Sequence, residues 1–206
     1  MVQSGESSDL PDFATHYFIS SRAPFLNLSD LVGDELDRVL EALRAEHQAA
    51  QNLRRFGALY MSLRAETEQR LRRCVVAAGG TIHRDAPHYF TLGSSAWFAG
   101  LSPQMSSIEV PLAEFPSEST SVTWYDSFAA MGAGKDLGLP VAPPDLLGTV
   151  HRLEDVATLA AAHGLPSPDD QAPSDPMTAE HTFVEIQLWT DDPIGTWLAS
   201  SGSRGG

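Results

Sequence analysis

Cysteine is nearly absent from this chain of 206 residues. Cys74 stands alone, which excludes an intramolecular disulfide framework and any cysteine-rich zinc site. It falls at helical spacing from Leu71 and Ala78, the place of a small core residue rather than of a nucleophile. Long hydrophobic runs are missing as well, since no stretch approaches the roughly 18 consecutive apolar residues of a membrane span. The opening MVQSGESSDLPDF is acidic and polar, unlike a signal or transit peptide. Basic residues are scarce and unevenly spread. Thirteen Lys and Arg stand against 27 Asp and Glu, a formal net charge of −14. From Asp85 onward only Lys135, Arg152 and Arg204 are basic, against 16 acidic residues. That balance argues against nucleic acid as a partner, because phosphate contacts need a basic surface, and against anionic membranes. A soluble, cytoplasmic protein is expected, with an acidic half that reads as solvated surface.

Familiar chemical signatures are missing too. No G-x-G-x-x-G follows a strand and no strand–helix–strand rhythm runs through the chain, so a Rossmann or P-loop fold is not indicated. The G-x-S-x-G elbow is absent, and LGSSAW reads as a polar turn. The seven histidines, at 16, 47, 83, 88, 151, 163 and 181, show none of the H-x-H, H-E-x-x-H or H-x-x-x-H spacings of a metal site. No metal is expected. A metal-assisted hydrolase or lyase drawing on His83, His88, Asp126 and Glu185 stands as the least favoured alternative.

What is present supports one α+β domain over 13–199. A 42% hydrophobic content is enough for a core, and residues 1–12 and 200–206 read as a disordered leader and tail. FATHYFIS reads as a first strand. A helical hairpin over about 34–79 follows. In its first helix Leu36, Val39, Leu40 and Leu43 form one apolar face. Its second carries Phe56, Leu59, Tyr60, Leu63, Leu71, Cys74 and Val75, and its arginine-rich outer face reads as solvated, with Glu66–Arg70 as an i, i+4 pair. Then APHYFTLG, SSIEVPLAEF, SVTWY, TVHRL and HTFVEIQLW read as strands of a mainly antiparallel sheet. They are interrupted by short helices at DSFAAMG, where Asp126 is the N-cap and Gly132 the stop, and at LEDVATLAAAHG. Residues 165–181, rich in Pro, Asp and Ser, read as a long mobile loop.

The chemistry is sought where the strand pattern breaks. In TFVEIQLW, Val184, Ile186 and Leu188 share one face, while Phe183, Glu185 and Gln187 share the other. A carboxylate in mid-strand is costly to desolvate without partners, so Glu185 is the first candidate. Trp124 and Tyr125 suit a core or an aromatic wall for a planar ligand. HYF also occurs twice, at 16–18 and 88–90.

The order of these motifs resembles the ADP-ribosyltransferase superfamily, and more narrowly the DarT-type DNA ADP-ribosyltransferase toxins. HYFTLGSSAWFAGL, IEVPL, SVTWYDSFAAM and VEIQLW carry the likeness, over roughly 14–31 and 82–198. It implies a split β-sheet core with the helical hairpin inserted, and NAD as a substrate. His16 would lie near the adenosine ribose with Ser20 or Ser21. Tyr89 would lie along the nicotinamide, with Ser94 and Ser95 on the same wall. Glu185 would hold the 2′-hydroxyl of the nicotinamide ribose, with Tyr125 and Gln187 beside the cofactor. The arginine that the toxins carry after the tyrosine strand is missing from TLGSS, so Arg84 or Arg22 would replace it. The acidic chain does not suit a DNA substrate, which leaves a small molecule, a nucleotide or a protein as acceptor. The alternative from another class is a non-catalytic ligand- or protein-binding domain, using the acidic C-terminal half and the 165–181 loop.

Overall fold

The computed structural model describes residues 10–48, 59–133, 135–137, 141–166 and 183–202. The β1 strand is Phe13–Ile19, followed by helices α1 (Gly33–Gln48) and α2 (Tyr60–Ala77). Strand β2 is His88–Leu92, α3 is Ala96–Ala99, β3 is Met105–Pro111 and β4 is Thr120–Thr123. Helices α4 (Ser127–Met131) and α5 (Val156–His163), strand β5 (Glu185–Leu188) and helix α6 (Ile194–Gly202) complete the order. The strands form one antiparallel five-stranded sheet, in the order β3-β1-β2-β5-β4. The α+β class is as expected.

The sheet is continuous rather than split. It narrows at one seam, where β1 and β2 share the rung Thr15↔Thr91 and a parallel bridge Ala14↔Gly93. TVHRL contributes only the bridge Val122↔His151, not a strand. LGSSAW is more than a turn, because Ser95 caps α3 by accepting from the Phe98 N–H. The expected tail is helical as far as Gly202. Just before β1, the Asp12 carbonyl accepts from the Leu112 N–H at 2.8 Å, tying the end of the expected leader to the sheet. Phe56 and most of the expected loop and leader lie outside the described residues.

Alternation gives the sheet two unlike faces. One face sends Phe90, Ile108, Val110, Val122, Ile186 and Leu188 into the main core, against Phe115, Trp124, Val156, Leu159 and Trp197. Ile186 and Leu188 are fully buried, each stabilising by about 1.5–3 kcal/mol. On the second face α1 packs Leu40 and Leu43 on Ile19 at one end. Beside it Leu71 and Val75 of α2 meet Met131 and Trp189. As the sequence indicates, Asp126 caps α4 by accepting from the Phe128 and Ala129 N–H groups. Gly132 ends it in the left-handed region (φ +63°), a conformation that favours glycine.

Candidate functional site

Register sets the row of side chains around Glu185. Thr15 of β1 pairs with Thr91 of β2, Thr91 with Glu185 of β5, and Glu185 with Thr123 of β4. Two rungs away Tyr89, Gln187 and Ser121 make a second row on the same face. All but Tyr89 are buried, and Glu185 keeps 9% of its surface exposed. Burying this much polar matter requires partners, and a chain of hydrogen bonds supplies them. The Trp189 indole N–H donates to Ser121 Oγ at 2.9 Å, and Ser121 donates to Gln187 Oε1 at 2.8 Å. The Gln187 amide nitrogen donates to Thr123 Oγ1 at 2.9 Å and to Glu185 Oε1 at 3.0 Å. Ser127, at the start of α4, also bonds the Glu185 carboxylate through backbone and side chain. Burial raises the carboxyl above its usual range, while Gln187, Ser127 and the charge of Arg64 pull the other way.

Helix α2 covers the neighbouring end of this face with a second polar group. Arg64 Nε lies 2.8 Å from Ser29 Oγ and 3.0 Å from Glu68 Oε1. Its other nitrogens donate to the Tyr60 hydroxyl at 3.1 Å and to Asn27 Oδ1 at 2.7 Å. Its guanidinium stacks over the Tyr89 ring, 4.7 Å from the centroid. The Tyr89 hydroxyl donates to Glu68 at 3.1 Å. Burial pushes this phenol well above its ordinary range, against the pull of Arg64 and with the push of Glu68 and Glu185. Arg64 therefore contradicts the solvated reading of the α2 arginines. Its stripe was legible all the same: Tyr60, Arg64, Thr67, Glu68, Leu71 and Val75 follow helical spacing, with three polar members among apolar ones.

Beyond Glu185 the face turns aromatic. Tyr17 stacks on Phe98 at 5.3 Å and Trp97 on Phe183 at 5.9 Å, while Phe98 meets Phe183 edge-on at 5.0 Å. Among them Tyr17, Trp97 and Phe98 stay partly exposed. Thr15, only 1% exposed, has a hydroxyl with no hydrogen-bond partner among the described residues. A buried hydroxyl in that state is costly, and it stands on the Glu185 row.

The expected site residues divide accordingly. Glu185, Tyr89 and Gln187 come together on one face. His16 does not join them, because one residue of register sends a side chain to the opposite face. It stacks on Phe25 at 4.3 Å, shares Nδ1 with the Tyr89 carbonyl at 3.0 Å, and accepts the Phe25 N–H at Nε2, also at 3.0 Å. Phe25 is held at φ +61° to make this contact. Burial lowers the His16 pKa to about 4. Thr15 and Tyr17 stand on β1 where His16 was expected.

Ser20 and Ser21 are exposed in the turn beyond the end of β1. Ser94 is exposed in the turn after β2, whereas Ser95 is buried as the α3 cap and gives its N–H to the Tyr17 hydroxyl at 2.7 Å. Arg84 is committed to Asp30 and Asp191, the latter also bound by His88 at 2.8 Å. Tyr125, at φ +78°, packs against the main core. For the metal alternative, His88 and Glu185 occupy opposite faces and Asp126 is a helix cap. Among the described residues no three His, Cys, Asp or Glu side chains gather as a metal site.

No protein-family model matches the chain, and neither the curated proteins nor the solved structures searched contain a match.

Proposed function

We propose that the protein is an NAD-using ADP-ribosyl transfer enzyme, a transferase or glycohydrolase, with Glu185 as its catalytic carboxylate. The observation that carries this reading is the placement of Glu185. It is a buried carboxylate aimed by Gln187 and Ser127, on the same face of the sheet as a partnerless Thr15 hydroxyl one strand beyond Thr91 and the Tyr17–Trp97–Phe98 aromatic group. Such a site offers an anion, a hydroxyl and flat apolar surface, the mixture that a nucleoside-like ligand requires. Ionised Glu185 accepts a hydrogen bond from the ribose 2′-hydroxyl and stabilises the oxocarbenium-like state as the bond from ribose C1 to nicotinamide breaks. Nicotinamide leaves with the electron pair of that bond, and water or an acceptor hydroxyl or amine forms the new bond to C1 and gives up its proton to solvent. A small molecule, nucleotide or protein is the acceptor.

The test is release of nicotinamide from NAD by the full chain, together with thermal unfolding in millimolar NAD. NAD at ~100 times its Kd adds roughly 2.7 kcal/mol of stability. The expected result is nicotinamide release and a raised melting temperature in the wild type, with release abolished in a folded Glu185→Gln variant. Full activity in that variant, or neither release nor a shift in the wild type, rejects the proposal. A second reading, a non-catalytic binding domain, draws on the commitment of Tyr89 to Glu68 and Arg64. It predicts ligand binding that survives Glu185→Gln. The described residues include no helix long and apolar enough to cross a membrane.

A further inference from the structure

A cleft of about 370 Å³ opens where the C-terminal half of α2 passes the end of α4, at the opposite end of that short helix from Ser127. The volume falls within the range of small-molecule sites. Cys74, Met131 and Leu147 supply apolar wall, and Arg70, Arg73 and Lys135 supply the only charges among the lining residues. In a chain of net charge −14, three of its 13 cations therefore converge on one cleft. Arg70 is held in place, donating to the Met131 carbonyl at 2.5 Å and pairing with Glu66. The carbonyl contact offsets the negative end of α4, which would otherwise repel an anion. Arg73 and Lys135 are exposed and make no ion pair among the described residues.

We propose that this cleft binds a phosphorylated small molecule with an apolar body. The phosphate meets Arg70, Arg73 and Lys135, and the body lies on Cys74, Met131 and Leu147. Guanidinium forks match phosphate oxygens in bidentate geometry. Glu66 already pairs Arg70, which leaves Arg73 and Lys135 uncompensated. A single carboxylate would compensate only one of these two, whereas a phosphate monoester carries close to two charges at neutral pH. The site is independent of the transferase reading, because none of its lining residues contacts Glu185 in the hydrogen-bond network.

Calorimetric titration of the full chain with hexyl phosphate, inorganic phosphate and hexanol tests it. Hexyl phosphate binds saturably at millimolar concentration or below, inorganic phosphate more weakly, and hexanol not at all. The double variant Arg73→Ala/Lys135→Ala loses at least about tenfold in affinity for hexyl phosphate, with an unchanged melting temperature because both side chains are exposed. Added salt weakens the wild-type interaction. Absence of saturable hexyl phosphate binding overturns the proposal. So does equal affinity in the double variant, which would place the ligand elsewhere, or hexanol binding as tightly as its phosphate ester.

Discussion

On β5, Ile186 and Leu188 are fully buried among aliphatic and aromatic side chains. Their neighbours Glu185 and Gln187, one residue away and facing the other side, are almost as buried among hydroxyls, an indole N–H and a carboxamide. The two faces of one strand thus enclose equal burial by different physics. The core face needs only shape and apolar area. The other face needs each donor to meet an acceptor, and it fixes the direction of every side chain in the process. That difference explains why a carboxylate can be aimed on one face and not on the other. It also leaves Thr15, the one partnerless hydroxyl on the Glu185 row among the described residues, conspicuous.

The comparison can be broken most forcefully at Arg64. Arg64→Met leaves Glu68 of α2 and Tyr89 beneath that helix without their cation, and a loss of about 3–5 kcal/mol is expected in denaturant unfolding. Ile186→Ala on the core face should cost a similar 2–5 kcal/mol through its cavity. A loss below about 1 kcal/mol for Arg64→Met would mean that the polar face contributes little to the fold.

Acid distinguishes the faces next, with opposite signs. His16 has its folded pKa lowered from 6.5 to about 4. Its neutral ring therefore contributes stability that is present above pH 6.5 and is lost as pH falls toward 4, up to about 3 kcal/mol. Glu185 has its folded pKa raised. Its contribution is fully present below the unfolded value and is lost as pH rises through the folded one. Unfolding measured from pH 4 to 8 should show His16→Phe flattening the acid loss. Over the same range, the wild type should lose stability relative to Glu185→Gln as pH rises. Identical pH profiles for all three proteins would refute both assignments. The smallest effect is expected at Ser95→Ala, about 1 kcal/mol for removing the α3 cap, with no change in the pH profile.

The repeated His-Tyr-Phe shows how far the sequence could be read. Both copies lie on neighbouring strands, β1 and β2, with histidine and phenylalanine toward the main core and tyrosine toward the polar face. Both histidines are bound up in the structure, His16 by two backbone groups and His88 by Asp191. The alternation that separates Glu185 from Ile186 was legible, as were the Asp126 cap, the Gly132 stop and the apolar stripe of α1. The face that His16 takes relative to Glu185 was not. It depends on which residue of β1 stands opposite Thr91, and no local pattern encodes a partner 76 positions away.

Local periodicity and capping are short-range properties, decided by neighbours along the chain, and the sequence by itself determined several of them here: the apolar stripe of α1, the Asp126 cap and Gly132 stop of α4, and the two-faced character of β5. The burial of Arg64 over Tyr89, the aiming of Glu185 by Gln187 and Ser127, and the convergence of Arg73 with Lys135 were decided only by tertiary structure. Each arises when elements distant in sequence dock. Whether an arginine on a helix is solvated or buried is then set by the surface it meets.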